Sequence, residues 1–120
     1  MLQYRLSALF LSAALAAPLA AQQPLPTDGQ SITGAITEDS EVLTESIQYT
    51  DLYTIAGEAG ERVSIELMSD DFDAYLEIGR MEDNQFVSLR SDDDSGGDLN
   101  SRLLFTFPET GSYIVRARPL

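Results

Sequence analysis

Arg62-Val63-Ser64-Ile65-Glu66-Leu67-Met68 is the stretch on which the fold turns. Val63, Ile65 and Leu67 alternate with Arg62, Ser64, Glu66 and Met68, the period of two that gives a strand one apolar face and one largely wet face. Upstream, Gly57-Glu58-Ala59-Gly60-Glu61 separates this strand from Tyr53-Thr54-Ile55, and its two glycines suit a sharp reversal. Downstream, Leu103, Phe105 and Phe107 repeat the alternation, as do Tyr113, Val115 and Ala117. The turn-forming residues Pro108-Glu109-Thr110-Gly111 lie between these last two, so they are expected to pair as a hairpin.

Shorter strands are expected at Ile32 to Ile36, Gln48 to Ile55, Tyr75 to Ile78 and Gln85 to Leu89, for about seven in all. Turn signals recur every eight to twelve residues and no stretch reads as a good helix, which predicts a small, all-β, jelly-roll-like antiparallel sandwich. Its core should hold Val63, Ile65, Leu67, Leu76, Ile78, Leu103, Phe105, Phe107, Tyr113 and Val115, with Arg62, Glu66 and Arg116 largely outside. The acidic, hydroxyl-rich stretch Glu38 to Ser46 reads as a loop at the sandwich edge.

The first residues have a different character. Arg5 supplies a positive start, Leu6 to Leu19 is mostly apolar, and Leu19-Ala20-Ala21 offers small residues to a peptidase, so residues 1–21 read as a signal peptide cut after Ala21. The run is shorter than the roughly 20 residues of a membrane-spanning helix and Pro18 breaks its end. No stable membrane insertion is therefore expected after cleavage, and the product should be secreted or periplasmic. Residues 22–30 read as a flexible leader and residues 31–120 as the domain.

Of the 120 residues, 20 are acidic and seven are Lys or Arg, all seven being arginine, for a formal charge of −13. Processing removes Arg5 and no carboxylate, leaving 99 residues and, with six arginines against 20 acids, −14. That field repels phosphate backbones, so nucleic acid is excluded as a partner. Cys is absent, which rules out disulfides, thiol catalysis and thiolate metal sites. His and Lys are absent as well, so the usual nucleophile and base pairs cannot be assembled. Only paired carboxylates could catalyse, as in glycoside hydrolysis, and they need a cleft that a domain of this size scarcely offers. The chain is expected not to be an enzyme.

Three patterns in order carry a family resemblance. Tyr53 to Leu67 is a strand, a glycine turn and a strand; Asp70-Asp71-Phe72-Asp73-Ala74-Tyr75-Leu76-Glu77-Ile78 follows. The third runs from Ser91-Asp92-Asp93-Asp94 through Asn100-Ser101-Arg102-Leu103-Leu104-Phe105 to Gly111-Ser112-Tyr113-Ile114-Val115. Together they resemble the bacterial pre-peptidase C-terminal domain, over roughly Gly34 to Arg118. The resemblance implies a jelly-roll-like sandwich that accompanies secreted proteases and other exported enzymes without catalysing. Related collagen-binding domains hold calcium and grip an extended protein polymer. Members often continue past the Gly-x-Tyr segment into a further strand, whereas this chain stops at Pro119-Leu120, which reads as a truncated or minimal copy.

Asp92, Asp93, Asp94, Asp98 and Asn100 form the candidate metal site, five oxygen donors in a glycine-bearing loop for which calcium is the natural ion. The spacing is not that of an EF-hand, and an exposed Asp/Gly turn is the alternative reading. Asp70, Asp71 and Asp73 form a second acidic group, read first as turn caps. The leading functional expectation is an exported accessory module that binds, targets or assists a secreted protein or extracellular polymer. The alternative is the truncated accessory region of a secreted hydrolase whose catalytic domain is absent.

Overall fold

The computed structural model describes residues 2–10, 23–26, 28–36, 41–43 and 48–120. Among these there is no helix, and ten strands follow in order: β1 Leu2–Phe10, β2 Gln23–Pro24, β3 Asp28–Ile36, β4 Glu41–Leu43, β5 Gln48–Gly57, β6 Arg62–Met68, β7 Ala74–Glu82, β8 Gln85–Asp92, β9 Ser101–Thr106 and β10 Gly111–Pro119. They form two sheets packed as a sandwich. One has the antiparallel order β3-β1-β6-β9; the other is β2-β5-β10-β7-β8, with β4 lying against the first residues of β5.

All ten residues expected in the core are buried, each no more than 6% exposed. In the first sheet Val63 faces Phe105 and Ile65 faces Leu103 across β6 and β9. In the second, Val115 lies between Tyr53 and Ile78, and Ala117 faces Leu76. The inner faces of both sheets fuse into one cluster that also includes Tyr4, Leu6, Ala8, Leu25 and Ile36. Burying each large apolar side chain contributes about 1.5–3 kcal/mol, and edge-to-face packing adds to it where Phe105, Phe107 and Tyr113 meet at 5.0–5.7 Å between ring centroids.

The expected hairpin between Leu103–Phe107 and Tyr113–Ala117 does not form. β9 pairs with β6, whereas β10 pairs with β5 and β7 in the opposite sheet. Residues 107–110 cross between the layers, and Tyr113 holds the corner: its hydroxyl donates to the Glu109 carbonyl at 2.6 Å and accepts from the Glu109 N–H at 3.2 Å. The reversal at Gly57–Glu61 is a second crossing, from β5 to β6, and the two crossings are tied together. Gly60 N–H donates to Phe107 O at 2.8 Å, and Phe107 N–H to Glu61 O at 2.9 Å. Gly60 takes φ 89°, a backbone conformation for which glycine carries no Cβ penalty.

A true hairpin joins β7 to β8, where Asp83 and Asn84 sit at φ 51° and 63°. Two consecutive left-handed residues are the signature of a type I′ turn, whose twist matches the strands it joins.

Three segments outside the expected strands also take places in the sheets. Leu2–Phe10, inside the segment read as a signal peptide, lies between β3 and β6 with Tyr4, Leu6 and Ala8 in the core; the proposed cleavage site at Ala21 lies outside the described residues. The leader is tied down at Leu25, which is 4% exposed and whose N–H donates to Thr54 O at 2.9 Å, and Asp28–Gln30 belong to β3. Within the expected Glu38 to Ser46 loop, Glu41–Leu43 pairs with Gln48–Thr50; its remaining residues lie outside the described set.

Candidate functional site

The two acidic groups of the sequence meet at one end of the sandwich. Ala74 N–H donates to Leu99 O at 2.9 Å, and Ser69 N–H donates to the Asn100 side-chain oxygen at 3.0 Å. The buried Ser101 hydroxyl reaches Ala74 O at 2.6 Å and closes the joint. The segment between β6 and β7 is thereby bound to the loop between β8 and β9. Seven aspartates belong to this end: Asp70, Asp71, Asp73, Asp92, Asp93, Asp94 and Asp98.

Asp92, at the end of β8, is a pin. One carboxylate oxygen accepts from Ser95 N–H and Arg102 N–H, both at 2.9 Å, and the other accepts from the Ser95 hydroxyl at 2.5 Å. Partial burial pushes this carboxyl up, but the bonds from the Ser95 hydroxyl and from the backbone of Arg102, Ser95 and Asp94 outweigh it and hold the group below its ordinary range. The loop then turns on itself, with Asn100 N–H donating to Gly97 O at 3.0 Å and Asp98 in the left-handed region at φ 53°.

Asp93 is half-buried, while Asp94 and Asp98 are exposed. The five predicted ligands thus share a loop without sharing a centre: Asp92 faces Ser95 and Arg102, and Asn100 faces Ser69. Among the described residues, no three acidic side chains converge as a group able to hold a metal ion.

Beside this loop a cleft of about 680 Å³ opens between β1, β3 and the segment from Met68 to Asp71, with Asn100 on its wall. Asp70 and Asp71 are exposed at its mouth. Its floor carries main-chain contacts: Asp71 accepts from the backbone N–H of Gln3 at 2.9 Å, and the Ser69 hydroxyl donates to the Gln3 carbonyl at 2.6 Å. Ser69 also accepts from Asp71 N–H at 3.0 Å, which fixes the grip.

Beneath the cleft Tyr4 crosses the core to the second sheet. Its hydroxyl donates to Asp51 at 2.5 Å and is also hydrogen-bonded to the Tyr53 hydroxyl, and its ring packs edge-on against Tyr53 and Phe72. Burial first, then the bonds to Asp51 and Tyr53, push the Tyr4 phenol far above its ordinary range; burial also raises Tyr53. Directly across the ladder from Tyr4 stands Gly34, where an added Cβ would come within 2.5 Å of the Tyr4 ring.

Sequence reasoning missed Tyr4, Asp51, Tyr53 and Ser69 as a constellation. One signal was present, because Tyr4, Leu6 and Ala8 alternate with Gln3, Arg5 and Ser7 with strand periodicity inside the apolar run. Comparisons with protein families, curated proteins and solved structures give no match. Among the described residues no helix is long and apolar enough to cross a membrane.

Proposed function

We propose that this chain is a non-catalytic exported module that binds a cationic stretch of a secreted protein or extracellular polymer at its Asp-rich end. The observation that carries the reading is the joining of the 69–73 and 92–100 segments by Ala74–Leu99 and Ser69–Asn100, which gathers seven aspartates at one end of the sandwich. A surface dominated by one sign of charge attracts the opposite sign and speeds its capture. The absence of His, Cys and Lys leaves the usual nucleophile and base pairs unassembled, and the resemblance to the pre-peptidase C-terminal domain supports an accessory role. Calcium enters this proposal as an additional ligand; binding it would require Asp93, Asp94 and Asp98 to be drawn together.

The test is binding of arginine-rich, neutral and glutamate-rich peptides of equal length to the full chain across a range of salt. Only the arginine-rich peptide should bind, and its affinity should fall as salt rises. Asp70→Asn with Asp71→Asn should weaken it, whereas Glu82→Gln with Asp83→Asn, at the opposite end of β7, should not. Equal effects of the two pairs would overturn the assignment of the site.

A further inference from the structure

Leu2–Phe10 has two natures. Its composition suits a cleavable export signal, and its alternation suits the strand that it forms between β3 and β6. An exported chain that loses this segment loses the strand, and with it the buried Leu6 and Ala8 that stand beside Leu67 and Ile65, while the facing edges of β3 and β6 are left with unpaired backbone groups. We propose that the gap between β3 and β6 is a strand-acceptor site. Leu2–Phe10 fills it while attached, and after its removal the gap takes an extended segment of a partner polypeptide with apolar side chains at alternate positions. The inference rests on the export reading.

Three features of the gap define that occupant. Ladders lie on both sides, with Leu2 to Ser7 registered against Ile36 to Ser31 and Arg5 to Phe10 against Met68 to Val63, so an incoming strand gains main-chain bonds along both edges. The grip beyond the end of β6 is on the main chain: Ser69 and Asp71 hold the carbonyl and N–H of Gln3, which any residue but proline provides. Side-chain selection is confined to the inner face, where Tyr4, Leu6 and Ala8 are at most 3% exposed, while Gln3, Arg5 and Leu9 point outward and are exposed. The site therefore selects alternation, with a large residue next to Gly34 and smaller ones further along, and is indifferent to the outward residues.

The test starts from the intact chain, folded with its N-terminus in place and carrying a protease site within residues 11–20. The chain is cut after folding, and dye-labelled peptides are offered to it. The first peptide has the sequence of residues 2–10. The second is unrelated except for Tyr, Leu and Ala at its third, fifth and seventh positions, and the third shifts those residues by one, which would turn them to the outer face.

The first two should enter at one peptide per chain and restore the melting temperature lost when the cut segment is diluted away. They should also restore amide protection in Ile32–Ile36 and Arg62–Met68. The third should do neither. Leu6→Ala in the first peptide should weaken uptake on the order of 100-fold. Loss of the cut segment with no change in melting or protection would overturn the proposal, as would exchange confined to the first peptide, a cut segment that never exchanges, or vacated chains that pair with one another and take up no peptide. N-terminal sequencing of exported protein tests the export reading separately: an intact Met1 would end that reading without deciding the exchange result.

Discussion

Glu77 and Arg116 stand directly opposite each other on β7 and β10, joined by a 2.6 Å contact between Oε1 and Nη2, with side chains only 8% and 11% exposed. The guanidinium also lies over the Phe86 ring, 3.9 Å from its centroid. Arg116, expected from its place in the alternation to be largely outside, is instead sunk into the outer face of its sheet. Removing one partner of such a pair leaves the other charge desolvated, which costs about 3–5 kcal/mol. Arg118, 3.9 Å from the same Glu77 oxygen, would take up part of that loss. Arg116→Ala is therefore expected near the lower end of the range in urea unfolding. Arg80→Ala, which breaks exposed pairs with Glu82 and Glu109, should cost far less, because solvent screens both.

Phe105→Ala is expected to remove about 3–5 kcal/mol, because it empties a site packed edge-on against Phe107 and Tyr113. Glu66→Ala, whose side chain is 40% exposed and 3.8 Å from Arg102, should cost about 1 kcal/mol or less. Equal losses in chemical unfolding would mean that the strand faces are misassigned.

These two positions mark what was legible. Alternation tells which side chains enter the core, and all ten expected there do. It does not tell in which sheet a strand lies, because Phe105 and Tyr113 point into the same core whether their strands are neighbours in one layer or face each other across two. The hairpin expectation failed at that ambiguity, while the Asp83-Asn84 turn passed unnoticed despite residues suited to positive φ. At the acidic end, residue types pointed to the right region. The roles of Asp92 and Asn100 depended on partners the local sequence does not reveal: Arg102 N–H, ten residues away, and Ser69 N–H, 31 away.

Asp92 offers a pH test. Its carboxyl is held below the ordinary range in the fold, so its contribution is fully present above the unfolded-state pKa of about 3.9 and is lost as pH falls through the lower folded value. Stability of the wild type should therefore fall more steeply below about pH 4 than that of Asp92→Ala. At neutral pH the variant should lose about 0.5–1.5 kcal/mol, because water can replace the carboxylate at the exposed Ser95 and Arg102 donors. Asp94→Asn, on an exposed side chain, should change stability by less than about 0.5 kcal/mol. Repeating both with calcium and with chelator at constant ionic strength separates the pin from a metal ligand, since only a ligand makes the calcium shift depend on Asp94.

Tyr4 and Tyr53 report on the N-terminal strand from the alkaline side. Both phenols are raised in the fold, by burial first and, for Tyr4, also by its bonds to Asp51 and Tyr53. An unfolded phenol ionises near pH 10 while these remain neutral, so their contribution is intact below about pH 10 and is lost as pH rises beyond it. Ultraviolet titration of the intact chain should show two tyrosines resisting ionisation until the protein unfolds. Tyr4→Phe should remove one of them and lessen the alkaline loss of stability. Were the chain exported and cleaved beside Ala21, the loss of Tyr4 would expose Tyr53, whose burial is the main cause of its raised value, so the processed chain should ionise Tyr53 at lower pH than the intact one. A strand that enters the gap and carries an aromatic residue opposite Gly34 should move Tyr53 back upward, because it restores the burial that dominates the shift. Identical Tyr53 titrations in intact, processed and peptide-filled chains would mean that Leu2–Phe10 does not cover Tyr53 in solution.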